Sequence, residues 1–255
     1  MKKIFSIGLA TLICAAALAA NVSAHKDFKS WGDIPKTATR ITLDGKLDEI
    51  YKKGLVVDVN LADGGKTGAA SGKAYFLWAD DGVYCAVEVN DPDICALDAS
   101  KNAWDQDGIE LTYDWKNDGS TRHKWMIHYD GTVVKAGDAT VEAIEVKATK
   151  TDKSYIIETK AALPDGVKAG SGIGVNLLLD DMSDGNKTRT IVRTAQSGGA
   201  KENEVAKFDY ITLSDKKVEI AAKPTTNAPA TADLSILAAV LAAASGAVVV
   251  TKKRR

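Results

Sequence analysis

The residues best suited to chemistry lie in one short stretch, Asn102-Ala103-Trp104-Asp105-Gln106-Asp107-Gly108-Ile109-Glu110. A Trp in a polar loop beside acids and an amide offers a flat apolar face on which a sugar ring can lie, while Gln106, Asp107 and Glu110 bond the sugar hydroxyls. The acids Asp105, Asp107 and Glu110 also suit glycoside hydrolysis, which needs two carboxyls roughly 5 to 9.5 Å apart across the scissile bond. Solvated charge at a loop and a strand start is the bland alternative. For Trp104, packing and ligand platform are equally open on these residues alone.

Other signatures break down on spacing. Gly65-Lys66-Thr67 ends like a phosphate-binding loop, but its leading Gly would fall on Asn60. The stretch Asp180 to Ile191 contains Asp184-Gly185, yet Met182 and Ile191 stand where a calcium loop needs oxygen ligands. Nucleophilic catalysis needs a His base, and the three His are His25, His123 and His128, with no Gly-x-Ser-x-Gly elbow. Met126, His123 and His128 are of the types that ligate haem iron, although His123 and Met126 fall on opposite faces of one strand. Asp44, Asp48 and Asp91 sit at turns and could hold a loop calcium or cap those turns. Cys85 alternates with apolar residues and reads as a buried small hydrophobe or as a disulfide partner of Cys95.

The elements that must position these groups are strands. Ala74 to Ala79 and Val83 to Val89 flank Asp80-Asp81-Gly82, a hairpin signal. Further β-rich runs follow at Ile109 to Trp115, Arg122 to Tyr129, Thr132 to Lys135, Thr140 to Ala148, Ser154 to Lys160, Gly172 to Leu179, Thr188 to Arg193 and Phe208 to Leu213. Asp-Gly punctuates them at 118, 130, 165 and 184, and no long run has a 3.6-residue apolar period. The prediction is an all-β, antiparallel, jelly-roll-like sandwich. Alternation puts Ile109, Leu111, Tyr113 and Trp115 on the core side; Trp125 is packing, and Glu110, Met126 and His128 share the opposite face.

The composition is that of an ordinary globular chain, with 33 Lys and Arg against 34 Asp and Glu in 255 residues. It shows no basic excess to displace counterions, which excludes nucleic acid as a partner. Residues 1–24 read as a signal peptide: Lys2 and Lys3, an apolar run, then Val22-Ser23-Ala24. An arm over 25–38, the domain over 39–213 and a Pro/Thr/Ala linker over 214–231 follow. Residues 232–255 read as a hydrophobic anchor helix, Leu234 to Val250, closed by Lys252, Lys253, Arg254 and Arg255. Without both tails 27 cations face 33 acids, a net charge of −6 on the exposed protein.

Two resemblances organise these readings. Ala228-Pro229-Ala230-Thr231-Ala232, followed by the apolar run and the basic tail, resembles the sorting signal of Gram-positive surface proteins. It implies sortase cleavage after Thr231 and attachment to the cell wall, with a plain membrane anchor as the alternative; Ala228 and Ala232 stand where the common pattern has Leu and Gly. The domain is similar to family 9 carbohydrate-binding modules. The matching residues are Leu43-Asp44-Gly45 through Asp48-Glu49-Ile50-Tyr51, Phe76 to Tyr84 with Val87 to Pro92, Trp104-Asp105-Gln106-Asp107-Gly108-Ile109-Glu110, and Tyr155 to Thr159 through Asp180-Asp181 and Arg189.

The second resemblance implies a β-sandwich that can bind structural Ca2+, with Trp104 as one wall of a sugar clamp and Glu110 as a hydroxyl acceptor. The ligand-binding set is then Trp104, Gln106, Asp107, Glu110 and His128. Two departures stand out. No aromatic residue occurs from Ser197 to Lys207, where the second wall is expected, and Met126 and His128 replace an Arg and an amide that sugar-binding relatives can carry. The resulting expectation is a surface-held, non-catalytic polysaccharide binder that supports glycan capture and breakdown. Haem binding, weak glycoside hydrolysis and adhesion through a degenerate sugar site are the alternatives.

Overall fold

Every second residue of the central strands points into a common apolar core, and this alternation builds the fold. The computed structural model describes residues 28–134, 143–195 and 204–220. Its strands are β1 (Ser30–Thr37), β2 (Leu55–Ala62), β3 (Ser71–Ala79), β4 (Gly82–Asn90), β5 (Gly108–Asp114), β6 (His123–His128), β7 (Val133–Val134), β8 (Ile144–Lys150), β9 (Ser154–Ala161), β10 (Gly172–Ser183), β11 (Thr188–Thr194) and β12 (Asp209–Val218). Helix among these residues is confined to single 3-10 turns, and none is long and apolar enough to cross a membrane. The expected signal peptide and C-terminal anchor helix lie outside the described residues.

Hydrogen bonding runs without a break along β7-β6-β5-β10-β11-β2-β3-β4-β9-β8. The long β10 bonds β5 on one side; on the other, Gly172 to Val175 pair with β12 and Leu178 to Ser183 with β11. The core lies between the two walls of this curled sheet. Ile109, Leu111, Tyr113, Trp125, Ile127, Leu177 and Leu179 come from one wall, and Phe76, Trp78, Cys85, Val87, Tyr155 and Ile157 from the other. Full burial of one such aliphatic side chain contributes about 1.5–3 kcal/mol. Trp125 is 1% exposed, packing as expected.

Three features differ from the expectation. The arm over 25–38 contains β1, which pairs in parallel with β12, so the sheet is not wholly antiparallel. Pro35, which has no N–H to donate, sits in a register shift between Ile34 and Lys36, the kind of place a strand tolerates it. β2, with Val57 and Val59 turned inward, is an additional strand. The polar start of the linker, Ser214 to Val218, continues β12 through backbone pairing, with most of these side chains exposed.

A second, smaller apolar cluster lies on the outer side of β3 and β4, where Ile41, Ile50 and Tyr51 cover Tyr75, Leu77, Tyr84 and Ala86. Glu158 of β9 fastens this segment: its Oε2 accepts the N–H groups of Asp44 at 2.8 Å and Gly45 at 2.6 Å. Gly45 is required there, with φ +80° and a Cβ that would come within 2.6 Å of Thr149 Cγ2. The Asp44 carboxylate accepts from Lys46, through its backbone N–H at 3.0 Å and Nζ at 2.8 Å, and so caps a turn. Asp44 and Asp48 are not part of a cation-holding group among the described residues.

Candidate functional site

The predicted site residues separate into three environments. The first is the outer face of β6, β5 and β10. Glu110 pairs with Met126, and Leu178 lies on its other side, so Glu110, Met126 and His128 do share a face. That face is not the open platform expected: Glu110 is 2% exposed and its Oε2 lies 2.5 Å from Lys124 Nζ. Arg189 of β11 reaches in as well, 3.5 Å from Glu110 Oε1, while its Nε and Nη2 donate to Asp180 Oδ1 at 2.9 and 2.5 Å. Burial and the nearby Glu110 charge push the Asp180 carboxyl up, and the Arg189 guanidinium opposes them. The result is a group of two acids and two bases in mutual contact across β5, β6, β10 and β11.

The second environment is the loop that carries Trp104. Asp105 N–H donates to the Asn102 carbonyl at 3.0 Å, and Asn102 Nδ2 donates to Asp105 Oδ2 at 2.8 Å, closing a turn on which Trp104 stands 41% exposed. Gln106 Oε1 accepts the Asp98 N–H at 2.7 Å. His128 lies 3.1 Å through Nε2 from the Ala103 carbonyl; a carbonyl only accepts, so the ring proton sits on Nε2. The loop and the β6–β7 turn border an open pocket of about 380 Å³, lined in part by Leu97, Lys101, Gln106, His128, Thr132 and Val134. That space suits one or two sugar rings. Gln106 and His128 thus hold the loop while lining, with Ala103, a pocket at the Trp104 turn.

The third environment takes Asp107 away from the sugar face. Asp107 continues the inward row Ile109, Leu111, Tyr113 of β5, just as Asp91 continues Val87 and Val89 of β4 and Asp181 continues Leu177 and Leu179 of β10. The three carboxylates meet at one end of the core, with oxygens within 4.8 Å of one another. Asp107 accepts from Cys95 N–H at 2.7 Å and Met182 N–H at 2.5 Å, and Asp181 from Ala70 N–H at 3.1 Å. Burial, with Asp91 and Asp181 adding to it, pushes the Asp107 carboxyl up to about 7 against those two backbone donors. Burial likewise lifts Asp91 to about 6, helped by Asp181 and Asp93, and raises Asp181. Asp91 Oδ2 is buried without a partner. An all-oxygen set with an unused buried acceptor fits a hard divalent cation.

Asp105, Asp107 and Glu110 therefore do not converge as a hydrolytic group, because Asp107 turns inward and Glu110 outward. His123 pairs with Tyr113 on the inner side and Met126 with Glu110 on the outer, so the two cannot reach one iron. Cys85 and Cys95 are both buried free thiols. Burial raises the Cys85 pKa, which keeps that thiol protonated and inert.

A family profile described as "Carbohydrate family 9 binding domain-like" matches residues 43–216. The chain is 28% identical to endo-1,4-beta-xylanase C of Paenibacillus barcinonensis over 182 residues, 69% of this chain and 16% of that enzyme. It is 24% identical to endo-1,4-beta-xylanase A of Thermoanaerobacterium saccharolyticum, covering 68% of this chain and 15% of the enzyme. The chain thus corresponds to less than a fifth of each relative's length. Among solved structures, a family 9 carbohydrate-binding module of Caldicellulosiruptor kristjanssonii in complex with cellotriose superposes with a TM-score of 0.62 at 18% identity. The match covers 75% of this chain and 100% of that one, a likeness of fold.

Proposed function

This chain belongs to the carbohydrate family 9 binding domain-like family, and on that footing we propose that it is a non-catalytic module that binds neutral polysaccharide. The observation that carries this reading is Trp104, an exposed indole on a braced turn whose neighbours Ala103 and Gln106 line a pocket with His128. The indole supplies a stacking plane, and the amide and imidazole supply polar contacts to hydroxyls. Glu110, tied to Lys124 and Arg189, is not a free acceptor. The cellotriose bound by that family 9 module, and the endo-1,4-beta-xylanases to which this chain is similar, support a β-linked plant glycan as the ligand class.

Ca2+ would be held by Asp91, Asp107 and Asp181, where its two positive charges would offset most of the charge on three buried carboxylates and join the loop before β5 to the β10–β11 hairpin. The signal-peptide pattern, the Pro/Thr/Ala linker and the sorting-signal pattern support export and a place at a Gram-positive cell surface, by sortase linkage to the wall or through the membrane. There the module would hold polysaccharide near the cell while secreted glycosidases cut it.

Calorimetric titration with cellotriose and xylotriose, comparing the protein with Trp104→Ala, tests the reading. Saturable heat that the substitution abolishes supports it. A folded protein that binds neither sugar would overturn it and favour the adhesive alternative.

A further inference from the structure

The connection from β2 to β3 carries Asp63-Gly64-Gly65-Lys66-Thr67-Gly68, whose Gly65-Lys66-Thr67 ends like a phosphate-binding loop. The structure gives that lysine a different neighbour. Lys66 Nζ donates to Thr190 Oγ1 at 2.8 Å. Thr190 stands directly across the β10–β11 pair from Asp181, on the same face, and both are buried. The ammonium therefore ends beside the acidic group of Asp91, Asp107 and Asp181. Burial pushes the Asp181 carboxyl up, and the Ala70 N–H and the Lys66 charge oppose it. Lys66 is nonetheless held by a hydroxyl and not by an ion pair.

The loop is tied down at its two ends. Arg193 donates to the Asp63 carboxylate through Nε at 3.0 Å and Nη2 at 3.1 Å, and Ala70 N–H donates to Asp181 Oδ2 at 3.1 Å. Between these ends Gly64, Gly65 and Gly68 take φ of 71°, 67° and 78°, and a Cβ added to any of them would meet nothing within 4 Å. An exposed lysine on a stretch against which nothing packs can shift at little cost. Its charge has a definite sign of effect on a divalent cation. Each is attracted to the carboxylates and each repels the other, so an ammonium beside the acids raises the amount of metal needed to fill them.

We propose that Lys66 is a resident counter-ion that competes with calcium for Asp91, Asp107 and Asp181, and so sets the calcium concentration at which they fill. This role rests on the calcium reading of those three carboxylates. It gives the lysine of the glycine-rich loop a task in cation binding in place of phosphate binding.

Calcium chloride is titrated calorimetrically into chelator-treated protein at pH 8, above the values of about 6 and about 7 at which Asp91 and Asp107 ionise. Lys66→Gln keeps a donor for Thr190 and removes the charge; it should tighten calcium binding about fivefold, while Lys66→Arg should stay within about twofold of the native Kd. Lys216→Gln is the control. It removes the same charge from the exposed part of β12 beyond the Gly172 end of β10, the opposite end from Asp181, and should also leave the Kd within about twofold. At one fixed calcium concentration, the gain in Tm should be larger for Lys66→Gln than for the native chain. Equal or weaker calcium binding by Lys66→Gln would overturn the role of Lys66 and leave the calcium site standing. Equal tightening by Lys216→Gln would assign the effect to net charge and overturn it as well. Calcium binding by neither the native chain nor Lys66→Gln would remove the cation site and this role together.

Discussion

Adjacent residues Asp180 and Asp181 belong to two acidic groups that solve the same problem differently. Asp180 turns outward and, with Glu110, is neutralised by Arg189 and Lys124 from neighbouring strands. Asp181 turns inward and meets Asp91 and Asp107; Lys66 acts on Asp181 from nearby, but none of the three forms an ion pair among the described residues. A buried charge must be paired or must give up its ionisation. The outer group finds its counter-charges within the chain, whereas the inner one has backbone N–H donors and no ion pair among the described residues. Strand alternation, by reversing the side chain at each step, puts an ion-paired group and an unpaired one back to back.

The strongest way to break this contrast is to take a counter-charge from the outer group. Arg189→Met leaves Glu110 and Asp180 with Lys124 alone, and denaturant unfolding should show a loss of about 3 kcal/mol. Adding Asp180→Asn should recover most of that loss, since the orphaned charge is then gone; strict additivity of the two would disprove the coupling. Next in size, calcium at a hundredfold over its Kd should stabilise the protein by about 2.7 kcal/mol, reversibly with chelator. Asp107→Asn should abolish that gain, and a melting temperature insensitive to calcium would remove the cation from the inner group.

The pH response sharpens the contrast further. Asp107 and Asp91 titrate near 7 and 6 when folded, above the ordinary carboxylate value of 3.8. As pH rises from about 4 to 7 the unfolded chain releases these protons first, so calcium-free stability should fall across that window and level off above it. Bound calcium favours the ionised carboxylates, so the calcium-dependent gain should grow over the same window. Urea midpoints at several pH values, with and without calcium, measure both trends. The smallest effect on stability belongs to Trp104→Ala: as the indole is exposed, unfolding should shift by less than about 0.5 kcal/mol, while sugar binding weakens by about 1 kcal/mol or more.

The alternation that sorts these groups was legible in the sequence for β5, and it correctly placed Leu111 and Trp125 inward and Glu110 outward. Asp107 was misassigned because it adjoins Trp104 in sequence, although it shares parity with Ile109 and Leu111; that period-2 signal could have found it, and Asp91 and Asp181 by the same rule. The burial of Glu110 could not be read locally. Its partners arrive from β6 and from β11, and the pairing of distant strands decides which charges meet. β1 was hidden by Gly32 and Pro35, residues that argue against a strand unless a parallel neighbour and a register shift accommodate them.

The placement of β12 has a mechanical consequence. This ten-residue strand is bonded to β1 on one side and to β10 on the other, and it is the last strand before the linker. A pull along its axis from its C-terminal end would load these lateral hydrogen bonds together, in shear, rather than peel them apart one after another. Were the domain to grip an insoluble fibre while tension acted on its C-terminal end, it would resist through that clamp, and its lifetime under load would follow the unfolding rate rather than the equilibrium stability.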